Sequence, residues 1–326
     1  MAGTGDPDKP TRRALIVAGP TCSGKSALAL ALAQRFGGAV INADSMQVYR
    51  ELRIVTARPS PADEAQAPHA LYGVRPAAEP GSVAWWRDAA LAAMDAAQAA
   101  GLVPILCGGT GLYLRSLITG LADIPAPGEA ARAEARALLA EHGPADLHAR
   151  LAAADPASAA RLRPGDSQRI ARAWEVLRGT GRGLAAWQDA APPPSGWTFA
   201  AVLLDPPRPE LRAAIAARFI AMLGQGAVDE VAALLALDLD PALPAMRAHG
   251  VPELAAFLRG TVDLAEARRR AVLATGQYTK RQATWFRHQP LTDPPWTHTI
   301  HARYAGLEQL SESFMAHLSG FLYCDN

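Results

Sequence analysis

Residues 14–26 read ALIVAGPTCSGKS. Five apolar residues in a row, too few for a helix, predict a short strand buried on both faces. The next eight, Gly19, Pro20, Thr21, Cys22, Ser23, Gly24, Lys25 and Ser26, fit the phosphate-binding loop pattern Gly-x-x-x-x-Gly-Lys-Ser in full. An Ala/Leu-rich helix follows to about Phe36. The pattern has a physical basis. Glycines let backbone N–H groups close around phosphate oxygens, and the following helix points its positive end at the anion. Lys25 adds a full charge, and Ser26 offers a hydroxyl to Mg²⁺. Cys22 reads as a small packing residue within the loop.

The rest of the chain extends the pattern. A second strand, 39–43, stops at Asp44. A helix over 83–100 leads into a strand over 102–107 that ends in Gly108-Gly109-Thr110. Strands separated by helix-length crossovers predict a parallel sheet covered on both sides. After Gly120 the composition changes. DIPAPG (123–128) reads as a linker, 129–190 carries only helical patterns, and Pro192-Pro193-Pro194 closes the segment. A strand at 199–204 ending in Asp205 returns to the sheet. Helices are expected at 208–223, 227–236, 252–258, 263–288 and 304–321. The expected fold is a P-loop NTPase-like, doubly wound α/β sheet, over 13–124 and 196–326, with an inserted all-helical domain at 125–195 and a disordered tail at 1–12.

Composition narrows the function. The 326 residues are 50% hydrophobic and nearly neutral, with 32 basic against 31 acidic side chains. A chain basic throughout, as a general nucleic-acid coat would be, is excluded; a local basic face is not. Cys22, Cys107 and Cys324 are too scattered for a disulfide framework or zinc site. The polar start and the absence of a long apolar run predict a cytoplasmic protein without a membrane span, expected to be a monomer. Lysine is scarce: only Lys9, Lys25 and Lys280 occur, and the other basic residues are arginines. A lysine kept in the interior of such a chain points to a chemical requirement.

A phosphate-binding loop alone would suit an ATPase or small-molecule kinase, in which a strand-end carboxylate supports Mg²⁺. The strand at 102–107 supplies none, whereas Asp44 and Asp205 end strands and either could serve. Asp44 opens Asp-Ser-Met-Gln-Val-Tyr, more typical of a substrate site than of a plain metal ligand. At this point GPTCSGKS, INADSMQVY with Thr56–Pro59 after it, GGTGLY (108–113), DSQRIARAWEV (166–176) and YTKRQATWFR (278–287) together resemble, in order, the motif series of tRNA dimethylallyltransferases. The resemblance covers about 13–290 and implies transfer of a dimethylallyl group from dimethylallyl diphosphate to the exocyclic amine of the adenosine 3′ of the anticodon. It implies Mg²⁺ at Ser26 and a catalytic set of Asp44 as general base with Thr110 and Arg218 on the diphosphate. It further implies tRNA contacts at Ser45, Met46, Gln47, Arg132, Gln168, Arg169, Ile170, Ala171, Arg172, Lys280, Arg281 and Gln282.

The chemistry agrees with that assignment. The leaving group is the anion such a loop holds, and donors placed where its charge grows lower the barrier. The attacking amine is weak and must lose a proton, and the target base must leave its stack to react. At 100° per residue, Gln168, Arg169 and Arg172 share one helix face opposite Ile170, Trp174 and Leu177, with Asp166 as the expected cap. Gln277, Lys280, Arg281, Thr284 and His288 form a second polar stripe. Three departures from the family pattern stand out: Val55 where Gly is usual, His249-Gly250-Val251-Pro252-Glu253 for Gly-Tyr-x-Glu, and Gly276 for Arg. An isopentenyltransferase acting on free adenine nucleotides and a phosphate-loop kinase remain as alternatives.

Overall fold

The computed structural model describes residues 12–190 and 194–323. The expected tail, most of the triple proline and Cys324 lie outside these residues. In chain order the elements are β1 (Arg13–Ala18), α1 (Lys25–Phe36), β2 (Gly38–Asn42), α2 (Pro61–Glu64), β3 (His69–Ala70), α3 (Val83–Ala99), β4 (Val103–Gly108) and α4 (Gly111–Thr119). Next come α5 (Gly128–Ala154), α6 (Pro156–Ala159), α7 (Ser167–Thr180) and α8 (Leu184–Asp189). The chain then continues through β5 (Thr198–Leu204), α9 (Arg208–Gly224), α10 (Ala227–Leu235), α11 (Val251–Leu258), α12 (Leu264–His288), β6 (Thr297–Ile300) and α13 (Glu312–Tyr323).

The six strands form one parallel sheet in the order β3-β2-β4-β1-β5-β6. Because side chains alternate across a strand, β1 feeds two cores. Ala14, Ile16 and Ala18 pack on one face, while Leu15 and Val17 pack on the other. Helices covering both faces leave little solvent to either, so the strands are almost wholly apolar. This is the doubly wound α/β sheet that the sequence predicts. Ligands in such sheets bind in the crevice at the carboxyl ends of the strands. The loop after β1, Asp44 after β2 and Thr110 after β4 all belong to that edge.

The chain divides into two compact units, one of Met1–Ile118 with Ser195–Asn326 and the other of Thr119–Pro194. The expected boundaries were 125 and 195. The second unit is helical and has its own core of Leu147, Leu151, Ala159, Ile170 and Ala173. Its long helix α5 breaks at Gly143 (φ 77°), just before Pro144. Pro144 lacks an N–H and crowds the preceding turn.

The sequence reading needs three corrections. The edge strands β3 and β6 were not foreseen: one is two residues long and the other reads Thr-His-Thr-Ile, so neither carries a buried-strand signature. Helix α4 was also missed. The last helix begins at Glu312 rather than 304, because residues 303–305 are held elsewhere: the Tyr304 N–H donates to the Ser23 carbonyl at 2.9 Å and the Ala305 N–H to Gln309 Oε1 at 2.7 Å. The apolar ladder of this segment still docks, with Leu310, Leu318 and Phe321 buried beside Leu15 and Val17. Among the described residues no single helix is long and apolar enough to cross a membrane.

Candidate active site

The anion loop has its expected shape. Cys22 (φ 69°) and Gly24 (φ 93°) both adopt left-handed backbone, which turns neighbouring N–H groups toward one concavity. The first N–H groups of α1 add to it, since no carbonyl of their own helix can accept them. Lys25 is buried and has no ion pair among the described residues. The Ser23 hydroxyl is buried with no hydrogen-bond partner. An unpartnered cation and an orphaned donor in one loop are costly unless an anion satisfies them. The carbonyls of Cys22 and Ser23 are taken from the C-terminal segment, by Arg303 Nε and the Tyr304 N–H, each at 2.9 Å. Ser26 is exposed, and burial pushes the nearby Cys107 thiol up to about 11.

Asp44 is fixed by its neighbours. The buried Asn42 side chain accepts the Asp44 N–H at 2.8 Å and donates to the Asp44 carbonyl at 3.0 Å. Asp44 Oδ1 accepts the Met46 N–H at 2.9 Å. Thr110 closes the turn from β4, its Oγ1 accepting the Ser45 N–H at 3.0 Å and donating to Ser45 Oγ at 3.3 Å. The Tyr278 phenol, from α12, comes near Thr110 and Gln282, and burial raises its pKa. Gly111 allows α12 to come this close: a Cβ there would lie 2.2 Å from the Trp285 ring.

A compact cavity of about 60 Å³ gathers the chemistry, joining Thr21 of the loop, Asp44, Arg218 from α9, and Thr275 and Tyr278 from α12. Met46, Val55, Ile215, Phe219, Met222 and Ala248 supply its apolar wall, while Thr56 and His249 complete it. Its volume is well below the ~300–1,000 Å³ of a typical drug-sized pocket. It suits a small branched hydrocarbon beside an anion site. Val55, one of the departures noted in the sequence, adds to that wall while Glu230 accepts the N–H groups of Arg53, Ile54 and Val55.

The residues expected to touch RNA divide. Lys280 and Arg281 are exposed on α12, and in the helical unit Gln168, Arg169, Arg172 and Arg132 are exposed as well. Asp166 caps α7 by accepting the Arg169 N–H. Met46 and Ser45 are half-buried at the Asp44 turn, and Ala171 is half-buried on α7. Three others are buried. Ile170 is fully buried in the core of the helical unit. Gln47 is buried, its amide donating to the Thr56 and Ala57 carbonyls. Gln282 is buried, accepting the Thr21 N–H at 2.9 Å and donating to the Gly109 carbonyl at 3.0 Å. Ile170 lies on the face that periodicity sets opposite the polar one, whereas Gln47 and Gln282 turn toward backbone groups that periodicity could not locate. Asp205, an alternative metal carboxylate, is paired with Arg287 at 3.2 Å.

Sequence reasoning missed a basic groove of about 560 Å³ between α9 and α12, lined by Arg208, Arg212, Arg269, Lys280 and Arg287 around Leu211 and Leu273. Glu266 and Asp205 pair with Arg269 and Arg287, leaving Arg208, Arg212 and Lys280 without a carboxylate partner among the described residues. It also missed Asn42, Ile215, Phe219 and His249. A buried asparagine closing an apolar strand two positions before an aspartate was the one available signal.

Comparison with known proteins gives a consistent picture. The IPP transferase family model matches residues 47–289, and an isopentenyl transferase model matches 12–72. The tRNA dimethylallyltransferase of Granulibacter bethesdensis is 65% identical over 95% of this chain and 98% of its own, and that of Acidiphilium cryptum is 62% identical over 96% and 95%. The full-length tRNA isopentenylpyrophosphate transferase of Bacillus halodurans superposes with a TM-score of 0.67 at 30% identity, covering 96% of this chain and 97% of that one. A eukaryotic dimethylallyltransferase acting on tRNA gives a TM-score of 0.79 at 25% identity, over 96% and 80%. These similarities make the protein a prenyl-transferring enzyme, and the chain belongs to the IPP transferase family.

Proposed function

We propose that the protein transfers the dimethylallyl group of dimethylallyl diphosphate to the exocyclic amine of the adenosine 3′ of a tRNA anticodon. The observation that supports this most is the cavity in which Thr21, Asp44 and Arg218 meet an apolar wall. The loop amides, Lys25 and Arg218 hold the diphosphate and stabilise the charge that grows on it. Thr110, bonded to Ser45, keeps the Asp44 turn beside the departing oxygen. Met46, Val55, Phe219 and Met222 enclose the five-carbon group and exclude water. The bond between the allylic carbon and the diphosphate oxygen breaks, the adenosine nitrogen bonds to that carbon, and its proton passes to the Asp44 carboxylate.

Among the described residues no three histidine, cysteine or acidic side chains cluster as a metal cage. Mg²⁺ is usually held by one or two protein oxygens together with substrate phosphates and waters, so the Ser26 hydroxyl fits that ion as a ligand. Bound there with the donor, Mg²⁺ would offset charge on the diphosphate.

RNA binding is assigned to the exposed faces: Lys280 and Arg281 with the basic groove in the first unit, and Gln168, Arg169, Arg172 and Arg132 in the helical unit. Single-stranded loops are gripped through backbone charge and stacking. The test is mass spectrometry of nucleosides from tRNA incubated with the protein, dimethylallyl diphosphate and Mg²⁺. Prenylated adenosine in tRNA is the expected product. Prenylation of free AMP in its place would favour the nucleotide enzyme, and cleavage of ATP with no prenyl transfer would favour a kinase.

A further inference from the structure

His249 closes the cavity from the turn ahead of α11, where Gly250 adopts φ 102°. Its ring lies against Tyr278, with centroids 4.8 Å apart and planes tilted by 45°. The Arg281 guanidinium lies over the Tyr278 ring at 5.5 Å from its centroid. A chain of ring contacts thus runs from exposed Arg281 through Tyr278 to a tilted imidazole facing the cavity that holds Asp44. Tyr278 is half-buried on α12, with Thr110 and Gln282 among the groups acting on its phenol. Neither imidazole nitrogen has a hydrogen-bond partner among the described residues.

The other parts of the cavity are already committed. The loop and Arg218 serve the diphosphate, and the Met46, Val55, Phe219 and Met222 side chains serve the hydrocarbon. Beside the Thr56 and Thr275 side chains, what remains near Asp44 is a planar aromatic surface with an unused hydrogen-bonding edge. We propose that His249 positions the extruded purine, stacking with it on the Tyr278 platform and presenting a ring nitrogen to its edge so that the exocyclic amine faces Asp44. This rests on the prenyl-transfer reading of the same cavity. Extruded bases are held in such pockets by stacking and by contacts to their edges. Four charged groups face the imidazole: Asp44 after β2, Glu253 on α11, Arg281 on α12 and Arg218 on α9. Burial, reinforced by Arg281 and opposed by Glu253 and Asp44, lowers the pKa of His249. The ring is therefore neutral at neutral pH, with one donor and one acceptor nitrogen.

The test uses the full-length protein with His249→Ala, His249→Phe and His249→Gln variants, an anticodon stem-loop RNA, and the same RNA with 2-aminopurine at the target position. In His249→Ala, kcat/KM for RNA falls at least tenfold while KM for dimethylallyl diphosphate stays within twofold. Either Phe, which keeps the stack, or Gln, which keeps the polar edge, recovers part of that loss. The emission of bound 2-aminopurine RNA differs between the wild-type and Ala proteins. The proposal is overturned by kcat/KM for RNA within twofold of wild type, by an equal rise in KM for the diphosphate, or by failure of both Phe and Gln to recover activity. Should wild-type protein transfer no dimethylallyl group at all, the reaction assignment fails instead. The emission arm then still decides the role of His249, and equal emission from the two proteins rejects it.

Discussion

Gln282 accepts the backbone N–H of Thr21 at 2.9 Å across 261 positions of chain. The same amide donates to the Gly109 carbonyl, so a single side chain from α12 ties the anion loop to the turn after β4. Replacing it with leucine strands a buried donor and a buried acceptor, each worth about 1–3 kcal/mol when left unpaired. Gln282→Leu should lower stability by about 2 kcal/mol or more in chemical denaturation and raise KM for dimethylallyl diphosphate. A variant with normal stability and normal KM would show that the bridge is dispensable.

Asp44 has its backbone fixed by Asn42 and one carboxylate oxygen committed to the Met46 N–H. An asparagine can keep both arrangements while losing the ability to take a proton. Asp44→Asn should therefore reduce single-turnover prenyl transfer by about 10²–10⁴-fold. Its RNA affinity, measured by filter binding, should stay within about twofold because no phosphate contact is removed.

The groove between α9 and α12 presents Arg208, Arg212 and Lys280 without carboxylate partners. If these engage phosphates, each alanine substitution weakens RNA binding and lowers the salt slope of the affinity by about one. Titrations of the Arg208→Ala and Arg212→Ala double variant between low and high salt check this. A slope equal to that of wild type would place the RNA elsewhere. Dimethylallyl diphosphate binding should not change in the double variant.

Stability should depend on mildly acidic pH. Burial lowers the pKa of His249, and also that of His298, below the ordinary value of 6.5. Between the folded and unfolded values the unfolded chain binds more protons, so stability rises with pH through that window and is lost as pH falls below about 6.5. Denaturation midpoints at pH 5.5 and 7.5 should differ. His249→Phe should narrow the difference, leaving the part due to His298.

Much of this was legible in the sequence because it is local. ALIVAGPTCSGKS fixes a strand, a loop and a helix within 13 residues, and the four central strands are unbroken apolar runs. The edge strands β3 and β6 are short and half-polar, and neighbour pairing makes them strands. The candidate site was legible where a motif carries its own geometry, as in the loop, Asp44 and Thr110. The cavity wall was not, because Val55, Ile215, Phe219, Thr275 and His249 come from separate elements and converge only on packing. Ile170 and Gln282 show the complementary limit: a helical stripe reveals which residues share a face, while tertiary contacts decide which face turns inward.

Gly24 approaches the C-terminal segment so closely that a Cβ there would lie 2.8 Å from the Cβ of Tyr304. With the Arg303 and Tyr304 bonds to Cys22 and Ser23, this makes the anion loop depend on residues 281 positions further along the chain. A ribosome that has emitted the first hundred residues has released the glycines and the lysine but not the brace that sets their curvature. Donor capture thus waits on translation past Tyr304, and lesions around Arg303 and Tyr304 should masquerade as defects in pyrophosphate affinity.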